Sequence, residues 1–176
     1  MTRHNSFHTQ SILGQPEAEF LVSKSASSKL IIEVGSWKGG TSSILCDHMP
    51  SDGRLHCVDC WITETAQVCE QIFRINNYFN VESGRLIIHH KTSDEAFSED
   101  FSELGPVCDL VFIDGLHTYR QVYQDIYNYK TLVRPGGILC GDDYYPNGGR
   151  YVGIAKAVSQ LVPNPQCVGN MWWAQL

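Results

Sequence analysis

The chain has 176 residues, 43% of them hydrophobic and 18% charged, with 13 Lys+Arg against 19 Asp+Glu for a formal charge of −6. That length fits one domain with a sizeable core, and the composition excludes a disordered chain. The acidic balance argues against the basic face of a nucleic-acid binder. There is no charged start followed by an apolar run of secretory type. No apolar run approaches the roughly 20 residues of a membrane span. The expectation is a soluble, cytoplasmic protein without a membrane partner.

Residues 1–15 are polar and turn-rich, with Asn5, Ser6, Ser11 and Gly14, and read as loosely ordered. Residues 16–25 read as a short helix, with Pro16 at its start and Glu17 and Glu19 in its first turn. Residues 1–29 are thus expected as a tail with one helix, and residues 30–176 as the domain proper. From Leu30 strands and helices alternate. Strands are expected over 30–34, 55–58, 85–89, 109–113 and 138–140. Helices are expected over 41–49, 63–79, 93–101 and 119–133, with one more through Ile154, Val158, Leu161 and Val162. In the 63–79 helix, Val68, Ile72, Ile75 and Phe79 form the apolar stripe. Pro135-Gly136-Gly137 is expected to stop the 119–133 helix, and residues 166–176 read as a hairpin about Gly169-Asn170. The alternation implies an α/β fold with a mostly parallel sheet.

The seven cysteines, several inside apolar runs, read as buried thiols. Cys57 and Cys60 have CxxC spacing, but a structural zinc site needs a second such pair, and the odd count does not suit a pure disulfide framework.

In an open α/β sheet the ligand crevice lies beyond the C-terminal strand ends. The first strand runs through Glu33 into Gly35-Ser36-Trp37-Lys38-Gly39-Gly40-Thr41. Such a glycine-rich turn lets backbone approach a ligand, and the helix N-terminus behind it offers free N–H groups. It is neither GxGxxG nor a P-loop. Asp59 ends the second strand, where a carboxylate can accept hydrogen bonds from ribose hydroxyls. Ser93 and Asp94, after the third strand, are candidates for a helix cap or for contact with an adenine edge. Asp114 ends the fourth strand and Asp142-Asp143 the fifth. Three carboxylates at neighbouring strand ends repel one another, which a divalent cation, a shared proton or solvent would relieve. His117, three residues beyond Asp114, is a candidate general base. Trp37, Trp61, Tyr144 and Tyr145 are near enough to stack on a ligand or simply to pack.

These residues resemble class I S-adenosylmethionine (SAM)-dependent methyltransferases. The resemblance rests on the Glu33-x-Gly35-x-x-x-Gly39 turn, Asp59, and the run DLVFIDGLHTYRQVYQDIYNYKTLVRPGGILCGDDY over 109–144. It is closest to the branch of small bacterial methyltransferases, cephalosporin-hydroxylase-like proteins and macrolide-sugar O-methyltransferases, and covers nearly all of the chain from Leu30. It implies a Rossmann-like three-layer sandwich, its seven-stranded sheet mostly parallel with a C-terminal antiparallel hairpin. It further implies SAM as cofactor, with Glu33, Gly35, Ser36, Gly39 and Thr41 at the methionine end, Asp59 on the ribose, Ser93 near the adenine, and Asp114 also against the cofactor. In metal-dependent members the matching positions, here Asp114, Asp142 and Asp143, hold Mg²⁺, and a His at the position of His117 is the base. The acidic pair in those relatives is often Glu-Asp, whereas here it is Asp-Asp.

The activity so implied is Mg²⁺-assisted O-methylation of a small hydroxylated acceptor, with sugar hydroxyls as one case. The implied partner is a small molecule rather than nucleic acid, and a homodimer is one assembly it admits. Metal-free N- or carboxyl-methylation and a non-catalytic SAM-binding subunit are the rival readings. An NAD enzyme is disfavoured by the missing GxGxxG.

Overall fold

The structure, a computed structural model, describes residues 13–62, 65–147 and 150–176. Most of the segment expected to be loose (1–12) and the expected start of the 63–79 helix lie outside the described residues.

Seven strands form one sheet: β1 (Leu30–Val34), β2 (Arg54–Val58), β3 (Leu86–His89), β4 (Cys108–Ile113), β5 (Val133–Gly141), β6 (Gln166–Val168) and β7 (Met171–Gln175). Their spatial order is β3-β2-β1-β4-β5-β7-β6. The pairs from β3 through β5 are parallel, whereas β7 runs antiparallel to both β5 and β6. The expected terminal hairpin is therefore present, and the sheet is Rossmann-like.

Successive residues of a strand point to opposite faces, so each central strand feeds two cores. Ile32, Val34, Val111, Ile113 and Leu139 enter the first core. There they meet Val122, Ile126 and Tyr129 of α6 (Tyr119–Tyr129) and Ile154 and Val158 of α7 (Val152–Leu161). Ile31, Leu110, Phe112 and Cys140 face the second core. That core contains Leu21 of α1 (Gln15–Ser25), Leu45 of α2 (Gly40–His48) and Phe73 of α3 (Ala66–Asn76). The result is the expected three-layer sandwich. Strands buried on both faces explain the unbroken apolar runs. The helix in the expected N-terminal tail shares the second core, with Leu21 fully buried and Phe20 against Trp173 at a ring separation of 5.2 Å.

Three local expectations are corrected. The 63–79 helix divides into α3 and α4 (Tyr78–Glu82) around Asn77. Asn77 is buried, donating to the Gly39 and Phe73 carbonyls and accepting from the Ser43 hydroxyl. That anchorage turns Cys69, Phe73 and Asn77 inward, so Val68, Ile75 and Phe79 stand 56%, 74% and 77% exposed. The helix expected to run through Val133 ends at Tyr129 in a 3₁₀ turn (Lys130–Leu132), and Val133 already belongs to β5. Pro135-Gly136-Gly137 is a bulge inside that strand: Cys108 pairs with Val133, and Leu110 next pairs with Ile138. Proline, lacking an N–H, is tolerated at a bulge. The helix after β3 is capped by Thr92 rather than Ser93 or Asp94. Thr92 and Glu95 form a capping box at the start of α5 (Ser93–Ala96), which runs on into a π-helical turn (Phe97–Phe101).

Five of the seven cysteines are buried, Cys60 is half-buried, Cys167 is exposed, and all seven are free thiols. Among the described residues no helix is long and apolar enough to cross a membrane.

Candidate active site

A cavity of about 600 Å³ opens at the C-terminal ends of β1 to β5, within the size range of small-molecule sites. Gly35 and Trp37 from the β1 turn and Asp59 and Trp61 from the β2 turn form one wall. Ser93 and Asp94 enter from α5, with Asp114 and His117 after β4 and Asp142 and Asp143 after β5.

The β1 turn is built around a close approach. Gly35 lies at φ 88°, and a Cβ there would overlap the Asp114 backbone carbonyl. Only glycine lets the ends of β1 and β4 come together in this way. The Glu33 side chain is fully buried behind the turn. Its Oε2 accepts from Ser36 Oγ at 2.8 Å, from Cys57 Sγ at 3.2 Å and from the Ser42 hydroxyl, while its Oε1 is buried without a hydrogen-bond partner among the described residues. Burial pushes the Glu33 carboxyl up to about 7. Glu33 and Ser36 therefore brace the turn from behind. Gly39 and Thr41 also lie off the cavity wall, and the Gly39 carbonyl is taken by Asn77.

Asp59 knits two turns together. Its Oδ2 accepts the Ser36 and Trp37 N–H groups at 3.0 and 2.8 Å, and its Oδ1 accepts Trp61 N–H at 2.8 Å. Lone-pair capacity remains on the cavity side, since a carboxylate offers about four acceptor sites. Trp37 and Trp61 both hold left-handed backbone, φ 44° and 41°, and the Trp61 indole donates to the Trp37 carbonyl at 2.8 Å. Such strain in bulky residues costs about 1–3 kcal/mol each and persists where surrounding bonds fix it. Of the four aromatics expected near the site, these two line the cavity. Tyr144 is buried in the first core and Tyr145 accepts a bond from Asn170.

On the adenine side of the implied cofactor, Ser93 is held in place. Its hydroxyl accepts from Gln121 Nε2 at 3.1 Å and its carbonyl accepts from Tyr129 OH at 2.8 Å. Gln121 also donates to Asp125 at 3.0 Å. Asp125 is 1% exposed, its Oδ2 is buried without a hydrogen-bond partner among the described residues, and burial pushes it up to about 6. The sequence assigns no separate role to Gln121, Asp125 or the cavity-lining Lys91. Asp125 was detectable, because it breaks the buried stripe Val122, Ile126 and Tyr129 of α6 with a charge.

At the floor, His117 Nε2 stands 3.2 Å from Asp114 Oδ1 and 3.3 Å from Asp143 Oδ2. The hydrogen bond that the ring donates to Asp114 holds the imidazole above the usual histidine range, while burial raises the Asp114 carboxyl. Asp143 sits at φ 57°, which aims its carboxylate back at His117. Ligand atoms of Asp114, His117 and Asp143 all lie within 4.8 Å of one another. The two carboxylates suit a hard divalent cation of the Mg²⁺ or Mn²⁺ type, and the imidazole beside them is a ligand type that such cations do not select. Asp142 does not join this group. Its N–H continues the β5 pairing to the Ile113 carbonyl at 3.2 Å, and its carboxyl borders the cavity, pushed up to about 7 by burial and by Asp114. Of the expected trio Asp114, Asp142 and Asp143, the first and last share this cluster with His117, and Asp142 borders the same cavity.

The cavity also suits the implied nucleoside cofactor, with its close glycine approach and the acceptor capacity of Asp59.

Comparison with known proteins agrees with this geometry. An O-methyltransferase from Bacillus cereus, solved with S-adenosylhomocysteine, superposes with a TM-score of 0.71 at 18% identity, over 93% of this chain and 82% of that one. The O-methyltransferase TomG of Streptomyces achromogenes, solved with SAM, superposes with a TM-score of 0.60 at 17% identity, over 85% of this chain and 67% of that one. An uncharacterized protein of Acanthamoeba polyphaga mimivirus is 28% identical over 115 residues, 64% of this chain. The match spans half the length of that relative. Residues 32–144, from β1 to just past the acidic pair, match the family described as a methyltransferase domain. With the match covering most of the chain and all five parallel strand ends, the chain belongs to the methyltransferase-domain family of class I, SAM-dependent fold.

Proposed function

We propose that the protein is a SAM-dependent O-methyltransferase acting on a small hydroxylated acceptor. The carrying observation is the Asp114–His117–Asp143 cluster on the floor of the same cavity that Asp59 and the β1 turn wall in. The cofactor supplies a methyl group on a sulfonium, whose leaving group needs no protonation. The chain's own work is to position reactants and to take one proton.

His117 fits the proton-taking role. A neutral imidazole has one N–H, and with Nε2–H donated to Asp114, Nδ1 keeps its lone pair for an acceptor hydroxyl. Asp114 then orients the ring and stabilises the imidazolium that forms, with Asp143 adding negative charge 3.3 Å away. Trp37, Trp61 and Leu116 present apolar surface to the cavity. A divalent cation held by Asp114 and Asp143, with Asp142 beside them, would supply charge that makes an acceptor hydroxyl more acidic.

A metal-free variant of the same transfer is favoured by a specific observation: His117 already bridges the two carboxylates, so the Asp–His pair can work as a base unaided. The acidic net charge supports a small-molecule acceptor over nucleic acid, and the resemblance supports sugar hydroxyls as one acceptor class. The test is calorimetric titration with SAM in Mg²⁺ and in EDTA, followed by methyl transfer to a panel of hydroxylated acceptors. SAM binding with chelator-sensitive O-methylation is expected. Chelator-insensitive transfer would select the metal-free base, and absence of SAM binding would sink the reading.

A further inference from the structure

Beyond the residues that line the cavity, a buried carboxylate in the N-terminal helix reaches the acidic segment after β5 through one intermediary. Glu17, in the first turn of α1, is 6% exposed. Its Oε1 accepts the backbone N–H of Asn170 at 2.8 Å. Asn170, in the β6–β7 turn, uses two further polar groups on the 142–145 segment. Its carbonyl accepts Tyr144 N–H at 2.7 Å, and its Nδ2 donates to Tyr145 OH at 3.1 Å. The Tyr144 N–H belongs to the peptide directly after Asp143, the residue at φ 57° whose carboxylate reaches His117.

We propose that Glu17 is a positioning residue for Asp143, acting through Asn170; this rests on the reading of Asp143 as part of the reacting cluster. Three features carry it. A left-handed aspartate is strained and must be held from outside. The Asn170–Tyr144 bond grips the peptide that sets that conformation. Asn170 is in turn fixed by Glu17, around which the turn is shaped: Gly169 lies at φ 55°, and a Cβ there would overlap the Glu17 carboxylate. A side chain needed only for packing at this depth would be apolar, since a buried carboxylate is costly unless it is bonded. Glu17 thus links α1, which lies on the second-core face of the sheet, to the floor of the cavity.

The test uses the full chain with Glu17→Ala, Glu17→Asp and Glu17→Gln. The readouts are hydrogen exchange at the Tyr144 amide, SAM affinity by calorimetry and Mn²⁺ affinity by electron paramagnetic resonance. In Glu17→Ala we expect Tyr144 exchange to quicken at least tenfold and Mn²⁺ to bind at least fivefold more weakly, with SAM affinity held within threefold. Glu17→Gln keeps a carbonyl oxygen for Asn170 and is expected to restore both readouts. Glu17→Asp, one methylene short, should fall between and serves if the alanine variant does not fold. Unchanged Tyr144 exchange, or SAM affinity lost in proportion, would overturn the proposal. Wild-type protein that binds no Mn²⁺ would count against the cation alone, and Tyr144 exchange then decides for or against the positioning role.

Discussion

The Asp114 carboxylate meets the His117 imidazole at 3.2 Å, three residues apart on the turn that leaves β4. The short loop between strand and helix makes this pairing local in sequence. When the ring is neutral, an Nε2–H donated to Asp114 leaves Nδ1 as the accepting nitrogen.

His117→Ala removes the base and leaves the walls of the cofactor cavity in place. Turnover is expected to drop by about 10²–10⁴-fold, the usual contribution of a positioned acid or base, with SAM affinity retained. Methyl-transfer assays and calorimetry on the same preparation check this; normal turnover would remove His117 from the mechanism.

Asp59 supports two turns with three backbone N–H bonds. Hydrogen bonds to a charged group are each worth about 1.5–3 kcal/mol, and stranding their partners costs more. Asp59→Ala is expected to weaken SAM binding by about 100-fold or more and to lower the melting temperature as well. A variant that binds SAM normally would show that the turns hold without the carboxylate.

Asp125 gives a pH-dependent prediction. Its folded-state value of about 6 exceeds the ordinary aspartate value of 3.8. The fold thus prefers the protonated acid, a contribution to stability that is complete below about pH 4 and lost as pH rises through 6. Asp125→Asn removes the buried charge and keeps a carbonyl oxygen for Gln121. It should therefore stabilise the protein at pH 8 by up to about 3 kcal/mol, from two units at 1.36 kcal/mol each, and by nothing at pH 4. Chemical denaturation at the two pH values measures the difference. An equal effect at both would show that Asp125 does not titrate with folding.

The two faces of the α3–α4 segment separate packing from mere periodicity. Phe73→Ala deletes a fully buried ring and should cost about 3–5 kcal/mol. Phe79→Ser, at 77% exposure, should stay within about 0.5 kcal/mol of wild type. Denaturant midpoints decide, and a large loss in Phe79→Ser would mean that this stripe is covered in solution.

The contrast shows where sequence patterning misleads. Val68, Ile72, Ile75 and Phe79 satisfy a helical period, but so do Cys69, Phe73 and Asn77, and the second set is the buried one. Hydrophobicity selected the greasier stripe, whereas the choice of face was made by the Asn77 side chain bonding to Gly39 and Ser43 across the chain. No local pattern reveals such long-range polar anchorage. The parallel strands were legible because both their faces are buried, and the residues at their ends follow from that placement. Asp59, Ser93, Asp114, His117, Asp142 and Asp143 all reach the cavity as expected. Glu33, Ser36, Gly39 and Thr41 do not line it, because spacing along a turn does not tell which side faces a ligand. The Thr92-x-x-Glu95 capping box was readable in the sequence, and the left-handed turn of Asp143 was not.

The link from Glu17 through Asn170 to Tyr144 also imposes an order in time. Asn170 lies 27 residues after Asp143 in the sequence. At a synthesis rate of about 5–20 residues per second, that interval is about 1 to 5 seconds. During it the nascent chain already holds the glycine turn, Asp59 and the β4 end, but has nothing to grip the peptide after Asp143. The glycine turn, Asp59 and the β4 end are therefore made before the residue that grips the peptide after Asp143, and that grip can form only once the β6–β7 turn has been synthesised.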